Sequence, residues 1–333
     1  MKERLIGLED LDLEVVKQET PLTAPEVVFN LLVKHPEITQ LVVASYPIYP
    51  HGERVRNIYD EYIPITHLED ELKKGQWRRT RPGITEVVAV GLVVDVCSNP
   101  ACAHTREEHS QEQAWLWRHW YDEGFSLPWG SQRSFIFLDI EQYNQVALRD
   151  ILAVVNEMEV DCYVLESGGG YHVMIDEVVG LDEFPESYGE VISLFGEQSD
   201  DSTLRGWGDD LIRSSGRPDR IGKWCTDALE TIGHAEDPIY QQGTNVHVLD
   251  LRHIAHSLRG VLVLQEWLTD HPVEDGFKRP ATPQRVGGAY LRVSPGRYSS
   301  PPVLVAQKKR GEITLFDFEE HPFSHPVCQR PLL

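Results

Sequence analysis

The chain has 333 residues, of which 41% are hydrophobic and 25% are charged, a composition typical of a globular protein with a sizeable core. It has no run of about 18 apolar residues and no apolar signal-peptide core, so we expect neither a membrane span nor secretion and predict a cytoplasmic location. Five cysteines, an odd and small number, favour a reducing compartment over a disulfide scaffold.

The net charge of −22 argues against a protein that simply coats nucleic acid, because phosphate binding needs a positive surface. Basic residues are nevertheless concentrated in three tracts, at residues 73–81, 205–223 and 278–310, and the last holds eight Lys and Arg and no Asp or Glu. Such tracts on an acidic body can guide an anionic ligand into a groove. The alternative is that they are solvated loops.

The N-terminal part of the chain mixes helix and strand signals. Thr23 is followed by Ala-Pro-Glu, which predicts a helix start with a capping residue, an early proline and an early acid. Residues 40–45 and the β-branched run 86–96 are predicted strands. We therefore expect an N-terminal α/β portion.

Two cysteines and two histidines lie close together after these strands: Cys97, Cys102, His104 and His109. Two Cys and two His side chains can ligate one tetrahedral Zn²⁺, which would make residues 97–109 a zinc-binding insertion. The spacing does not fit a C2H2 finger. The alternative is a polar loop with incidental cysteines and histidines.

The clearest structural unit covers residues 134–176. A hydrophobic strand at 135–140 is followed by a helix at about 144–158, whose apolar residues recur at helical spacing. Strands at 162–165 and 171–175 then flank a glycine turn. The order β-α-β-β predicts a helical crossover followed by a hairpin, which is half of a ferredoxin-like or RNA-recognition-like sheet.

Two acidic residues, Asp139 and Glu141, end the first strand of this unit. Alternate residues of a strand share one face, so both carboxylates point the same way. Carboxylates at this spacing can hold one or two hard divalent cations. The alternative is an ordinary strand end whose acids face water.

The glycine turn has the sequence Ser167-Gly-Gly-Gly-Tyr-His172. Glycines allow positive φ and a close approach of backbone N–H groups to a phosphate, and the serine and histidine side chains can contact a triphosphate. A flexible hairpin turn with an incidental histidine is the alternative. One helix and one strand join this turn to the acidic strand, so both motifs can lie on neighbouring strands.

A third candidate is Asp250, which ends a predicted short strand at 246–249 and precedes a predicted helix at 253–262. The alternative is a helix N-cap, a position where Asp is common.

In this order the three motifs resemble the catalytic domain of the archaeo-eukaryotic primase superfamily, which includes primase small subunits and primase-polymerases. The family pattern is a hydrophobic strand with Asp-x-Asp/Glu, a serine-to-histidine motif, and a hydrophobic strand with a single Asp. The segment Ser257-Leu-Arg-Gly260 resembles the family's Ser-Leu-His-Gly, with arginine in place of histidine. The role of this segment stays open, and His253 and His256 are candidates to substitute. The resemblance covers residues 130–262.

The resemblance implies a role for each motif. Asp139, Glu141 and Asp250 would ligate two Mg²⁺ or Mn²⁺ ions. Contacts to the incoming nucleotide would come from the turn and from nearby cations: Ser167, Gly168, Gly169, His172, Arg213, Arg217, Arg220, Lys223 and Arg252. The tracts at 73–81 and 278–310 would hold the template backbone, with Tyr290 or Tyr298 available to stack on bases.

The resemblance implies an α+β fold with an RRM-like or ferredoxin-like catalytic sheet and an additional N-terminal α/β portion. Residues 1–265 would form the catalytic domain and 266–333 a basic, Pro/Gly-rich extension. The implied activity is template-dependent nucleotidyl transfer from an NTP or dNTP on single-stranded DNA or a primer-template. No Walker-A motif is present, so a separate helicase would do any unwinding. The alternatives are a metal-dependent nuclease and a non-catalytic nucleic-acid-binding protein of replication or mobile elements.

Overall fold

A computed structural model describes residues 11, 13–35, 40–48, 59–64, 80–81, 84–91, 94–97, 130–140, 145–180, 183–232, 248–255, 257–258, 290–293, 300–320 and 322–323. The strands in these ranges are β1 (Leu13–Gln18), β2 (Gln40–Ile48), β3 (Tyr59–Pro64), β4 (Thr80–Arg81), β5 (Ile84–Gly91), β6 (Val94–Cys97), β7 (Gly130–Ile140), β8 (Cys162–Glu166), β9 (Tyr171–Gly180), β10 (Tyr290–Arg292), β11 (Val303–Lys309) and β12 (Glu312–Phe318). The helices are α1 (Ala24–Lys34), α2 (Gln145–Glu157), α3 (Phe184–Gln198), α4 (Ser202–Ser214) and α5 (Pro218–Ile232).

The strands form two sheets. One has seven strands in the order β1-β12-β11-β8-β9-β7-β6, with β1 parallel to β12 and the other neighbours antiparallel. The other has five, in the order β10-β5-β2-β3 with β4 also paired to β5. Helices and mixed sheets together make the fold α+β, as predicted.

The predicted β-α-β-β unit is confirmed. Helix α2 connects β7 to β8, and β8 and β9 form a hairpin. Strand β9 lies between β7 and β8 and is antiparallel to both, so β7 and β8 run parallel to each other with one strand inserted. This arrangement places the C-terminal end of β7 beside the N-terminal end of β9, where both predicted motifs fall.

Helices α1 and α2 cover opposite faces of the seven-stranded sheet. Lys308 and Cys162 are paired across β11 and β8, and the Lys308 ammonium donates to the carbonyls of Asn156, at 2.8 Å, and Met158 at the end of α2. Tyr163, next along β8, points to the other face, where the Lys34 ammonium of α1 lies 5.7 Å from its ring centroid.

Helix α1 begins at a capping box formed by Thr23 and Glu26, as its sequence predicts. Its C-terminal end is fixed by a buried carboxylate on the sheet, that of Asp176. This carboxylate accepts hydrogen bonds from the Lys34 ammonium and from the Tyr163 hydroxyl at 3.2 Å, and lies 2.6 Å from His35 Nε2. Burial raises the pKa of Tyr163, which keeps its hydroxyl a donor.

Three predictions differ from the structure in detail. The β-branched run at 86–96 is divided between β5 and β6. The strand predicted at 246–249 is wrong for Val248 and Leu249, which form a bend. Strands β11 and β12, within the predicted C-terminal extension, pair with β8 and β1 and so form part of the central sheet.

Candidate active site

The end of β7 and the start of β9 meet in register. Asp139 is directly opposite His172, so the two side chains lie on the same face of the sheet. His172 Nε2 is 3.6 Å from Asp139 Oδ1, close enough for an ion pair and too long for a direct hydrogen bond. The histidine is buried, whereas the aspartate side chain is 32% exposed and can be reached from solvent. The expected placement of the two motifs on neighbouring strands is confirmed.

The turn before His172 is tightly closed on itself. The backbone N–H and the hydroxyl of Ser167 both donate to the Gly170 carbonyl, at 2.9 and 3.0 Å. Gly168 has a φ of 81°, a backbone conformation that residues other than glycine rarely adopt. The serine hydroxyl is therefore engaged within the turn, and Gly169 is the exposed residue at its tip.

Asp250 contacts Asp139 on the edge of β7 opposite to His172 and β9. Its backbone N–H donates to the Asp139 carbonyl over 2.9 Å, although the two residues are far apart in the sequence. Asp250 is buried, and its Oδ1 accepts a hydrogen bond of 2.8 Å from the N–H of Arg252 at the start of the helical residues 251–255. Asp250 is thus a helix N-cap and a neighbour of Asp139 at the same time.

Tyr188 of α3 contacts β7 two residues before Asp139. The fully buried Tyr188 hydroxyl donates to the Phe137 carbonyl at 3.2 Å. The Ser257 hydroxyl donates to the carbonyl of His253, four residues earlier, at 3.0 Å. Burial raises the pKa of Tyr188 above its usual range, so the phenol stays protonated. Sequence reasoning missed Tyr188, because a single tyrosine in an acidic segment carries no signal of this contact.

The other predicted site residues are placed as follows. Glu141, Cys102, His104 and His109 lie outside the described residues, and Cys97 ends β6. Four cations are exposed around the connection between α4 and α5: Arg213, Arg217, Arg220 and Lys223. Arg213 is 3.6 Å from Asp210 of its own helix, and Lys223 pairs with Asp227. Arg252 is exposed and lies next to Asp250, with its amide bonded to that carboxylate.

Within the ranges that the structure describes, no three His, Cys, Asp or Glu side chains are grouped closely enough to hold a metal ion. The described part of the predicted metal site consists of Asp139 and Asp250, whose carboxylates are ligands of the kind that Mg²⁺ and Mn²⁺ prefer. The third predicted ligand is Glu141. No described helix is both long and apolar enough to cross a bilayer.

No protein-family model, no curated protein and no solved structure matches this chain. The assignment of a function therefore depends on the geometry of the site itself.

Proposed function

We propose that this protein is a metal-dependent nucleotidyltransferase of the primase-polymerase type, which extends a 3′-hydroxyl on a single-stranded template. One observation carries the proposal: Asp139 lies between His172 and Asp250, paired in register with the first and hydrogen-bonded to the amide of the second. Three residues from separate parts of the chain, each singled out as a candidate from its motif, thus meet at one end of β7.

The chemistry of these residues supports a site for a hard cation. Asp139 and Asp250 supply carboxylate oxygens, and the partly exposed Asp139 side chain leaves room for a ligand to approach. With Glu141 two residues further along the same strand, the donor set is that of a Mg²⁺ or Mn²⁺ site. Bound there, such ions would lower the pKa of the attacking hydroxyl and neutralise the charge of the triphosphate.

The protein side chains would position the nucleotide. His172, which lies 3.6 Å from Asp139, would donate a hydrogen bond to a phosphate oxygen beside the acidic residues. The exposed tip of the turn at Gly169 can bring backbone N–H groups to the same phosphates, because the positive φ of Gly168 turns the chain sharply there. Ser167 would act by closing this turn.

The strand order around the site is consistent with the proposed class. Strands β7 and β8 with β9 inserted between them form a split β-α-β unit, the arrangement of ferredoxin-like sheets. Contacts to a template would come from the basic tracts. In the described part of the 278–310 tract, Lys309 and Arg310 are exposed and available, whereas Lys308 is buried against α2.

The proposal is tested by template-dependent incorporation of labelled nucleotide with Mn²⁺ or Mg²⁺. We expect Asp139→Asn to reduce the rate by about 1000-fold or more, because lost metal binding removes several kcal/mol of transition-state stabilisation. Glu190→Gln is the control, since Glu190 is an exposed acid of α3 that belongs to none of the predicted motifs. It should leave the rate unchanged.

No incorporation by the wild-type protein across a broad screen of templates, NTPs and dNTPs would contradict the proposal. Incubation with metal and end-labelled DNA in the absence of nucleotides separates it from a nuclease. Cleavage that is lost in Asp139→Asn, without any incorporation by the wild type, would assign the same residues to hydrolysis.

A further inference from the structure

Residues 213–223, which we call the basic connection, join α4 to α5 and carry four exposed cations: Arg213, Arg217, Arg220 and Lys223. Asp219 is the only acid among these residues, although the whole chain has a net charge of −22. Arg213 and Lys223 each pair with an exposed or partly exposed acid of the same helix. Such pairs contribute little to stability, so their cations can exchange the acid for another anion. The basic connection is therefore a positive surface on an acidic protein.

The basic connection is held in one shape by hydrogen bonds. The Arg217 N–H donates to the Ser214 carbonyl at 3.0 Å, and Gly216 between them has a φ of 70°. Further along the two helices, the indole N–H of Trp224 donates to the Trp207 carbonyl at 2.9 Å. A surface that already has a fixed shape loses little conformational entropy when it binds a ligand.

Two of the cations are placed where they do not stabilise the helix that follows. Arg217 directly precedes α5, and Arg220 lies in its first turn. The N-terminal end of a helix carries a partial positive charge, so acidic residues are favourable there and basic residues are not. Asp219 follows this rule and the two arginines do not. An anionic ligand explains their positions better than helix stability does.

The C-terminal end of α4 is next to the part of α3 that contacts β7. A Cβ at Gly189 of α3 would lie 2.6 Å from Ile212 Cγ1, so the two helices are in close contact there. Gly189 follows Tyr188 in the chain. The Tyr188 hydroxyl donates to the Phe137 carbonyl, two residues before Asp139. A continuous path of contacts thus leads from the candidate active site, through α3, to the start of the basic connection.

We infer that the basic connection holds the sugar–phosphate backbone of the single-stranded template beside the candidate active site. The inference rests on the proposed function and deepens it, because it assigns the four cations to the template instead of the incoming nucleotide. Arg217 and Lys223 are six residues apart in the sequence. Six helical residues extend about 9 Å along the axis. Cations spread along such a line match a strand, which carries its phosphates in a row, better than a single compact triphosphate.

Binding of a fluorescently labelled single-stranded DNA to the full-length protein, measured without nucleotide or metal, tests the inference. The double variant Arg217→Gln/Arg220→Gln should bind about tenfold more weakly at moderate salt. The slope of log affinity against log salt concentration should become shallower by about 1.4, because each phosphate contact to a single strand contributes about 0.7. The melting temperature should not fall, since neither arginine stabilises α5.

The matched control, Lys17→Gln/Arg205→Gln, removes the same amount of charge elsewhere. Lys17 is exposed on β1, and Arg205 is exposed near the other end of α4. The DNA affinity and the salt slope of this control should equal those of the wild type. An equal loss of affinity in the two double variants would show that only total charge matters and would overturn the inference. Absence of single-stranded DNA binding by the wild type would overturn it as well.

Two further ligands test which anion the basic connection binds. Affinity for a dNTP with Mn²⁺, measured without DNA, should be the same in Arg217→Gln/Arg220→Gln as in the wild type. A loss of nucleotide affinity with unchanged DNA affinity would assign the cations to the nucleotide and overturn the inference. The double variant should lose more affinity for the single strand than for a blunt duplex of the same length. A loss confined to the duplex would also overturn the inference.

Comparison of DNA binding with nucleotide incorporation separates the failure of this inference from the failure of the proposed function. Single-stranded DNA binding that depends on Arg217 and Arg220, without incorporation by the wild type, would overturn the proposed function and still support binding by the basic connection. Template-dependent incorporation by the wild type, with undiminished DNA binding by the double variant, would overturn the inference alone.

Discussion

The backbone amide of Asp250 donates to the carbonyl of Asp139 over 2.9 Å, and this contact joins two motifs that are distant in the sequence. Because the bond joins two backbone atoms, it fixes the backbone positions from which the two side chains extend. This holds whichever side chains are present. Asp250 also caps the helical residues that follow it. Capping and metal binding make different demands on its side chain, so substitutions can separate them.

Asp250→Asn keeps an oxygen that can accept from the Arg252 amide and removes the negative charge. Asn and Asp are about equally good N-caps, so we expect the melting temperature to stay close to that of the wild type. Asp250→Ala should lower the free energy of unfolding by about 1 kcal/mol. Nucleotide incorporation should be lost in both variants. An active Asp250→Asn protein would show that Asp250 serves only as a cap.

The sequence predicted the β-α-β-β unit and the meeting of two motifs because both depend on local patterns. Helical spacing of apolar residues identified α2, and a single glycine turn required β8 and β9 to pair. The neighbouring positions of Asp139 and His172 followed from that topology.

Contacts made by distant parts of the chain were not accessible to the same reasoning. Val248 and Leu249 are apolar residues of the kind that strands contain. The backbone nevertheless bends at these two residues, and the next residue, Asp250, reaches β7. Tyr188 reaches Phe137 across 51 residues, and nothing in the local pattern around it indicates the partner. The pairing of β11 with β8 likewise depends on tertiary structure, which overrides the Pro/Gly-rich character of the surrounding sequence.

Gly168→Ala is predicted to weaken nucleotide binding. Gly168 has a φ of 81°, and a side chain there costs about 1–2 kcal/mol, so the turn before His172 should relax to another shape. Gly311, in the turn between β11 and β12, has a φ of 86° and makes a matched control. Both substitutions should lower the melting temperature by similar amounts, and only Gly168→Ala should raise the dissociation constant for nucleotide. Equal nucleotide affinity in the two variants would contradict a role for the turn.

Lys308→Met is predicted to destabilise the protein by about 2 kcal/mol, because the carbonyls of Asn156 and Met158 at the end of α2 lose a charged donor. Lys309→Met is the control at the next position, where the side chain is exposed, and should change the free energy of unfolding by less than about 0.5 kcal/mol. Urea unfolding of both variants measures the difference. Similar stabilities would show that α2 does not depend on this contact.

Two glycines of α4 should respond in opposite directions to the same substitution. A Cβ at Gly208 would lie 2.3 Å from Ser193 Oγ and 2.4 Å from the Ser193 backbone nitrogen, so α3 and α4 would have to move apart. We expect Gly208→Ala to cost about 1–3 kcal/mol. A Cβ at the exposed Gly206 meets nothing within 4 Å, so Gly206→Ala should gain up to about 1 kcal/mol from helix propensity. Thermal unfolding of the pair measures both effects, and stabilisation by Gly208→Ala would mean that α3 and α4 are not in close contact at this point.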